Sequence, residues 1–296
     1  MSEDNQADLT CCCASCGVTE IDDIKLVPCD ACYLVRYCSD ACREEHISQH
    51  EERCKKRAAE LRDELLFKQP ESTHLGDCPI CSLPMLDIEK SSLMACCSKE
   101  ICCGCLLANG RREMEMRLAF KCPFCRKAWQ ETEEERDQRL MKRIEANDPV
   151  AMRFVGGEQY YKGDYQSAIN YYTKAADLGD AEAHYNLALI YLQGKGVEKD
   201  EEKEILHLEE AAIGGHPMAR YSIGSYEYRH DNVERAVKHW IIAATQGEEK
   251  SMKLLMKSFK EGHLEKEVLA AALRAHKAAV DATKSPQRKV AGGSWR

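Results

Sequence analysis

All 18 cysteines of this 296-residue chain lie between Cys11 and Cys125, and none occurs from Arg126 to the end. Thiols at that density serve either disulfides or metal, and the compartment decides between them. The N-terminus MSEDNQADLT is acidic and polar, unlike a signal peptide. The chain is therefore expected inside the cell, cytoplasmic or nuclear, where thiols stay reduced and regularly spaced cysteines point to metal. No apolar run approaches the ~18 residues that span a bilayer. A net charge of -8 offers no basic surface to nucleic acid or anionic lipid, so neither nucleic acid nor membrane is expected as a partner. Length and composition suit two or three domains better than one core. A metal-rich front half precedes a metal-free back half.

Two Cys-x2-Cys knuckles open the first cluster, 13-CASC-16 and 29-CDAC-32, followed by 38-CSDAC-42 and 50-HEERC-54. The last two spacings place both members on one face of a helix. Eight donors close two tetrahedral zinc sites, and alternating pairs would interleave them so that neither forms without the other. The string RYCSDACREEHISQHEERC resembles the end of a MYND zinc finger. That resemblance implies one zinc on Cys13, Cys16, Cys38 and Cys42 and another on Cys29, Cys32, His50 and Cys54. It also implies a module that binds short peptides, usually containing proline. Arg43 and Ile47 stand where the family has Gln and Trp; Ile47 can still pack, while a ligand groove that needs that Trp is not expected. Cys11 and Cys12 read as spare thiols, with Cys12 an alternative to Cys13, and His46 as a helix-surface residue. Structural zinc contributes about 10–16 kcal/mol to modules this small. Residues 55–75 read as a connecting helix with Leu61, Leu65 and Leu66 on one side, ending at Pro70.

The second cluster opens with 78-CPIC-81 and closes with 122-CPFCR-126, with 96-CCSKEIC-102 and 102-CCGC-105 between. It resembles a RING finger. Matched from its ends, Cys78, Cys81, Cys102 and Cys105 fill one site, while Cys97, Cys122 and Cys125 supply three donors of the other and Lys99 falls on the fourth position. A lysine, with its reference pKa near ~10.4, does not compete with thiolates for zinc. Cys96 is the economical substitute, Cys103 the competitor, and a water-completed site the third option. RING ligases dock a ubiquitin-conjugating enzyme and act by positioning. The resemblance puts Ile80 and Pro123 at the docking surface and Arg126 at the ubiquitin clamp, although Pro123 also suits a tight turn around metal and Arg126 a solvated surface.

Beyond the cysteines, the charged run from Glu131 to Arg143 reads as a solvated helical spacer. Ala-Ala-x-x-Gly then recurs at 175–179, 211–215 and 243–247, and helix starts recur at Ala151, Ala183 and Ala219. Periods in the thirties with fixed small residues mark a solenoid of helix pairs. Residues 183–200 resemble a Sel-one-like repeat through Leu187, Tyr191, Gly194, Gly196 and Val197, and a degenerate fourth copy after Gly247 is expected to cap the stack. Tyr160, Tyr161, Tyr171, Tyr172, Tyr185 and Tyr191 read as packing residues.

The expected architecture is multi-domain: two small zinc-stabilised modules followed by an all-α helical-repeat solenoid. Its segments are a disordered N-terminus (1–10), a MYND-type finger (11–54), a helical linker (55–75), a RING-type finger (76–127), a charged linker (128–147), the repeats (148–282) and a flexible basic tail (283–296). Four zinc ions are expected, two per finger. The functional expectation is an adaptor that binds proteins or peptides through the first finger and the solenoid. The alternative is a ubiquitin ligase whose second finger recruits a conjugating enzyme. No Ser/His/Asp set, carboxylate pair or nucleotide fingerprint stands out in the back half.

Overall fold

A computed structural model describes residues 12–21, 24–86, 88–128 and 132–294. The N-terminal stretch 1–10 and Cys11 lie outside them. The chain forms two compact units that divide after Lys68. Among the described residues, no helix is long and apolar enough to cross a membrane.

In the first unit, β1 (Val27–Pro28) pairs antiparallel with β2 (Arg36–Tyr37), and α1 (Asp40–Leu66) follows. The buried cluster is Leu26, Val35 and Tyr37 together with Cys13, Cys29 and Cys32, so the cysteines are themselves much of the core. Ser39 caps α1 by accepting from the Cys42 N–H at 3.3 Å. The helix runs unbroken for 27 residues. The expected boundary at residue 54 therefore falls inside a helix, because nothing between Cys54 and Leu66 stops one. Lys55–Glu51 (2.6 Å) and the pairs of Arg57 with Glu60 and Glu64 (both 3.1 Å) support its solvated faces. It ends at Phe67, before Pro70 is reached.

The second unit begins with a hairpin, β3 (Ser91–Met94) against β4 (Lys99–Cys102), and α2 (Cys103–Glu115). Then come α3 (Glu133–Glu145) and the helix pairs α4 (Pro149–Lys162) with α5 (Tyr165–Asp177), α6 (Ala181–Gln193) with α7 (Glu201–Ile213), and α8 (Pro217–Arg229) with α9 (Val233–Thr245). The fourth pair is α10 (Glu249–Lys260) with α11 (Lys266–Ala282). Ala151, Ala183 and Ala219 are fully buried at equivalent places. The Ala-Ala-x-x-Gly motif has a double role. Both alanines are buried and their carbonyls accept the helix-ending bonds: Gly215 N–H to Ala212 O at 3.0 Å and His216 N–H to Ala211 O at 2.9 Å, with the same pattern at Gly179 and Gly247. The glycine takes the left-handed conformation, φ 84° at Gly215.

Small residues of one helix receive large ones of its partner. Gly156 faces Tyr172, and Gly224 faces Trp240, whose indole nitrogen lies 2.6 Å from where a Cβ would stand. Ala188 and Leu208 hold the equivalent positions in the middle pair, and both are buried.

Two expected connectors are structural. Leu140 of α3 is 1% exposed and clusters with Ala151 and Val155, with Ala95 packed against them, so the charged run is no free spacer. The expected basic tail folds as α12 (Pro286–Ser294) and packs on α2. Tyr172 is buried as expected of a packing residue, whereas Tyr161 is 90% exposed.

The second cysteine-rich module is built onto the repeats. Arg153 of α4 reaches Glu100 of β4 at 2.5 Å and Asp180 at 3.1 Å. Burial opposes its charge, yet Asp180 and Glu100 outweigh that and hold it firmly protonated. Arg143 donates to Ser98. The segments on either side of the Cys78–Cys81 knuckle lie against the repeat glycines: a Cβ at Gly215 would stand 3.0 Å from Ser72 O, and one at Gly247 2.5 Å from Leu86 Cδ1. The helix-ending glycines thus also admit a neighbouring chain.

Gly224→Ala is expected to destabilise the repeats by about 1–3 kcal/mol through overpacking against Trp240. Trp240→Leu added to it should recover part of that loss, read as the midpoint of denaturant unfolding.

Candidate metal centres

Four knuckles share one backbone design. The residue after the second cysteine takes a positive φ at Gly17 (75°), Tyr33 (56°), Ser82 (52°) and Arg126 (63°). Its N–H returns to the carbonyl of the first cysteine, at 2.9 Å for Gly17 and Tyr33, 2.8 Å for Ser82 and 3.0 Å for Arg126. Both sulfurs are turned to one point, and backbone N–H groups face them, as in Cys125 N–H to Cys122 Sγ at 3.5 Å.

The donors meet in four groups, each within 4.8 Å: Cys13, Cys16, Cys38 and Cys42; Cys29, Cys32, His50 and Cys54; Cys78, Cys81, Cys102 and Cys105; and Cys96, Cys97, Cys122 and Cys125. A tetrahedron with ~2.3 Å metal–sulfur arms has edges of about 3.8 Å. The sulfur separations are 3.5 Å for Cys16–Cys38, 3.7 Å for Cys29–Cys54, and 3.8 Å for both Cys81–Cys102 and Cys97–Cys122. Cys96 lies 3.3 Å from Cys125, and His50 Nε2 3.2 Å from Cys32 Sγ. The cysteine edges of 3.5 to 3.8 Å are close to those of a zinc tetrahedron, and the Cys96–Cys125 edge is shorter.

Lys99 instead stands over the Phe124 ring, 5.8 Å from its centroid. Cys96 occupies the place in question; Cys103 and Cys12 belong to none of the four groups. His46 is also outside them: its Nδ1 lies 3.1 Å from the Tyr37 hydroxyl and its ring stacks on His50 at 5.8 Å. Ile47 does not pack, being 60% exposed on the outer face of α1.

The thiols need a counter-charge. Burial opposes ionisation of Cys13, but N–H groups of Cys16, Cys38 and Ser15 bring it down to about 6. Cys78 is likewise brought to about 7 by the N–H groups of Cys102, Cys81 and Ile80 against its burial. Their neighbours go the other way. Hydrogen bonds to Cys16, Cys42 and Cys13 push Cys38 up to about 12, and burial followed by Cys29 and Cys32 pushes Cys54 to about 12. Ionisation is thus favoured at Cys13 and Cys78 and opposed at Cys38 and Cys54, a conflict that a divalent cation removes.

Of the three expected conjugating-enzyme contacts, Ile80 is 42% exposed and Arg126 is exposed, but Pro123 is buried. Burial of Pro123 suits the second of its two expected readings, a turn residue that fills the knuckle.

A fifth cluster has no counterpart in the sequence reading. His74, Glu182 and His216 converge, with Glu182 Oε2 accepting from His74 Nε2 at 2.9 Å and from His216 Nε2 at 3.1 Å. His216 also caps α8, its Nδ1 accepting from Ala219 N–H at 3.2 Å. That fixes a neutral imidazole with its proton on Nε2, which suits a hydrogen-bonded latch and not a metal ligand. Burial lowers the His216 pKa, and the two imidazole donors overcome the burial of Glu182 to hold it well below the usual carboxylate range.

Residues 13–54 match the family model of the MYND finger, and residues 149–180, 181–216 and 217–248 that of the Sel1 repeat. The chain thus carries a MYND finger and three Sel1 repeats. A MYND finger implies zinc, and the donor sets of the first unit fit it. DAP3-binding cell death enhancer 1 of Rattus norvegicus is 40% identical over 57 residues, 19% of this chain and 11% of that protein. Putative beta-lactamase HcpC of Helicobacter pylori is 38% identical over 52 residues, 18% of each. The chain spans under a fifth of the length of either relative. A Sel1 repeat protein of Oxalobacter formigenes aligns in structure over 50% of this chain and 66% of its own, at 26% identity and a TM-score of 0.43.

Cys96→Ser is expected to remove one zinc equivalent from the purified chain, measured by mass spectrometry of bound metal, while Cys103→Ser leaves the content unchanged. Zinc affinity should fall as pH drops, by roughly tenfold or more per unit, because raised thiols must release protons to bind; chelator competition between pH 8 and 6 reads it. At His216 the folded pKa is lowered, so its contribution is present above about pH 6.5 and lost as pH falls below it. Since Asn caps without titrating, His216→Asn should lose less stability than wild type between pH 7.5 and 5.5, read as the denaturant midpoint at each pH.

Proposed function

We propose that this chain is a zinc-dependent adaptor inside the cell, holding one protein or peptide on the MYND finger and another on the repeat solenoid, with four zinc ions maintaining its two cysteine-rich modules. MYND fingers and Sel1 repeats are protein-interaction modules. One surface carries the reading furthest. A cleft of about 230 Å³ opens beside α8 and α10, lined by Tyr221, Ser225, Tyr228, Leu254 and Lys257 with Trp240 at its floor. Lys257 stands 5.5 Å over the Tyr228 ring, and Lys250 5.7 Å over that of Tyr221. Similar tyrosine–lysine pairs recur at Tyr160 with Lys195 (4.8 Å) and Tyr191 with Lys203 (5.3 Å). Aromatic faces next to cations suit a short peptide that combines an apolar side chain with an acidic group. On the finger, Val27, Tyr33, Leu34 and Ile47 are exposed apolar side chains of the kind that peptide contacts use.

A second reading, a ubiquitin ligase recruiting a conjugating enzyme through the second module, is favoured by the exposure of Ile80 and Arg126 beside interleaved donor pairs. Burial of Pro123 weighs against it.

The test is selection of displayed peptides on the zinc-loaded full chain. Tyr228→Ala should weaken solenoid-selected acidic–apolar peptides at least about tenfold, and Tyr33→Ala should do the same for a separate proline-containing set. Absence of any selected peptide sensitive to either change would end the adaptor reading. Ubiquitin chain formation with a panel of conjugating enzymes, abolished by Ile80→Ala, would replace it with the ligase.

A further inference from the structure

Arg288 sits more than two hundred residues from Cys81, which it meets. Its Nη2 donates to Leu83 O at 2.9 Å and lies 3.5 Å from Cys81 Sγ; its Nη1 donates to Pro84 O at 2.6 Å and Thr283 O at 3.3 Å. Leu83 and Pro84 follow the knuckle that carries Cys78 and Cys81. The fork of the guanidinium thus grips the loop of one metal centre and points at a donor sulfur.

Several local features deliver it there. Ser285 accepts from the Arg288 N–H at 3.2 Å and Pro286 stands at the first position of α12, a capped helix start. At Gly104, near the start of α2, a Cβ would lie 2.8 Å from Arg288 Cγ and 2.9 Å from its Cα, so only glycine admits the helix. Ala291, one turn on, is buried. A zinc ion ringed by four thiolates carries two excess negative charges, which N–H donors and nearby cations must offset. Outer partners of this kind typically change metal affinity ten- to a hundredfold.

We infer that Arg288 is the positioning residue of the Cys78–Cys81–Cys102–Cys105 centre, and that zinc occupancy of this centre and docking of α12 on α2 are thermodynamically linked. The inference rests on the zinc reading of the second module. Linkage is reciprocal: a docked α12 slows loss of the ion, and loss of the ion releases α12, uncovering α2.

The experiment uses the full zinc-loaded chain. Zinc release to a chromogenic chelator is followed for wild type, Arg288→Ala, Arg288→Lys and Gly104→Val, with Cys81→Ser identifying the kinetic phase of this centre. Hydrogen exchange of residues 285–294 is measured before and after release. The expected result is a ten- to hundredfold faster release in that phase alone for Arg288→Ala and Gly104→Val, a smaller change for Arg288→Lys, and faster exchange of α12 in wild type once the ion has left. Cobalt substitution separates the two ways of failing. Absence of sulfur-to-cobalt charge-transfer bands that depend on Cys81 would show that this centre takes no metal, which ends the zinc reading and the linkage with it. Bands present, with release in that phase unchanged in both Arg288→Ala and Gly104→Val, would overturn the linkage alone.

Discussion

Thiols gathered within 4.8 Å of one another cannot all ionise in the absence of a cation, and in both cysteine-rich modules those thiols occupy the place of a hydrophobic core. The apolar residues buried beside them are few, Leu26, Val35 and Tyr37 in the first and Met85, Met94 and Ile101 in the second. Such small cores do not overcome the conformational entropy of ordering a chain. Hairpin, knuckles and helix starts in these modules serve to aim donors, and their folding is expected to be inseparable from metal binding.

The second module gains a further support. It is held to the repeats by the Arg153 pairs, by the imidazole–carboxylate latch at Glu182, and by α12 returning from the end of the solenoid. Each contact joins residues far apart in sequence, and each involves a polar group that is substantially buried and paired. The unit is therefore not a row of independent modules on linkers: repeat helices supply part of the wall against which the cysteine-rich module stands.

The parts legible in the sequence were those with a fixed period or spacing. Knuckle spacing indicated the donors, and the Ala-Ala-x-x-Gly step located the helix pairs, because both are local rules of geometry. The chemistry of an ammonium excludes Lys99 as a donor, and the structure brings Cys96 beside the other three. What escaped was decided by tertiary contact. Leu140 is one apolar residue in a charged run, and only its neighbours Ala151 and Val155 give it a core to enter. His216 stands where other repeats place the capping carboxylates Asp148 and Asp180, and its partnership with His74 has no local signature. Ser285–Pro286 is a local helix-start signal for α12, set within a stretch of basic composition. Pro123 had two local readings, and its burial favours the knuckle.

The fit of small against large residues inside each helix pair bears on how such an array can change over generations. Gly156 accepts Tyr172 and Gly224 accepts Trp240, while the middle pair places Ala188 and Leu208 at those positions. A recombination breakpoint between the helices of a pair would set Ala188 against a tryptophan, or Gly224 against a leucine too short to fill its socket. A breakpoint at the glycine after a pair leaves every socket with its own occupant. The heritable building block is then the matched pair, and the array can grow or shrink only in those steps.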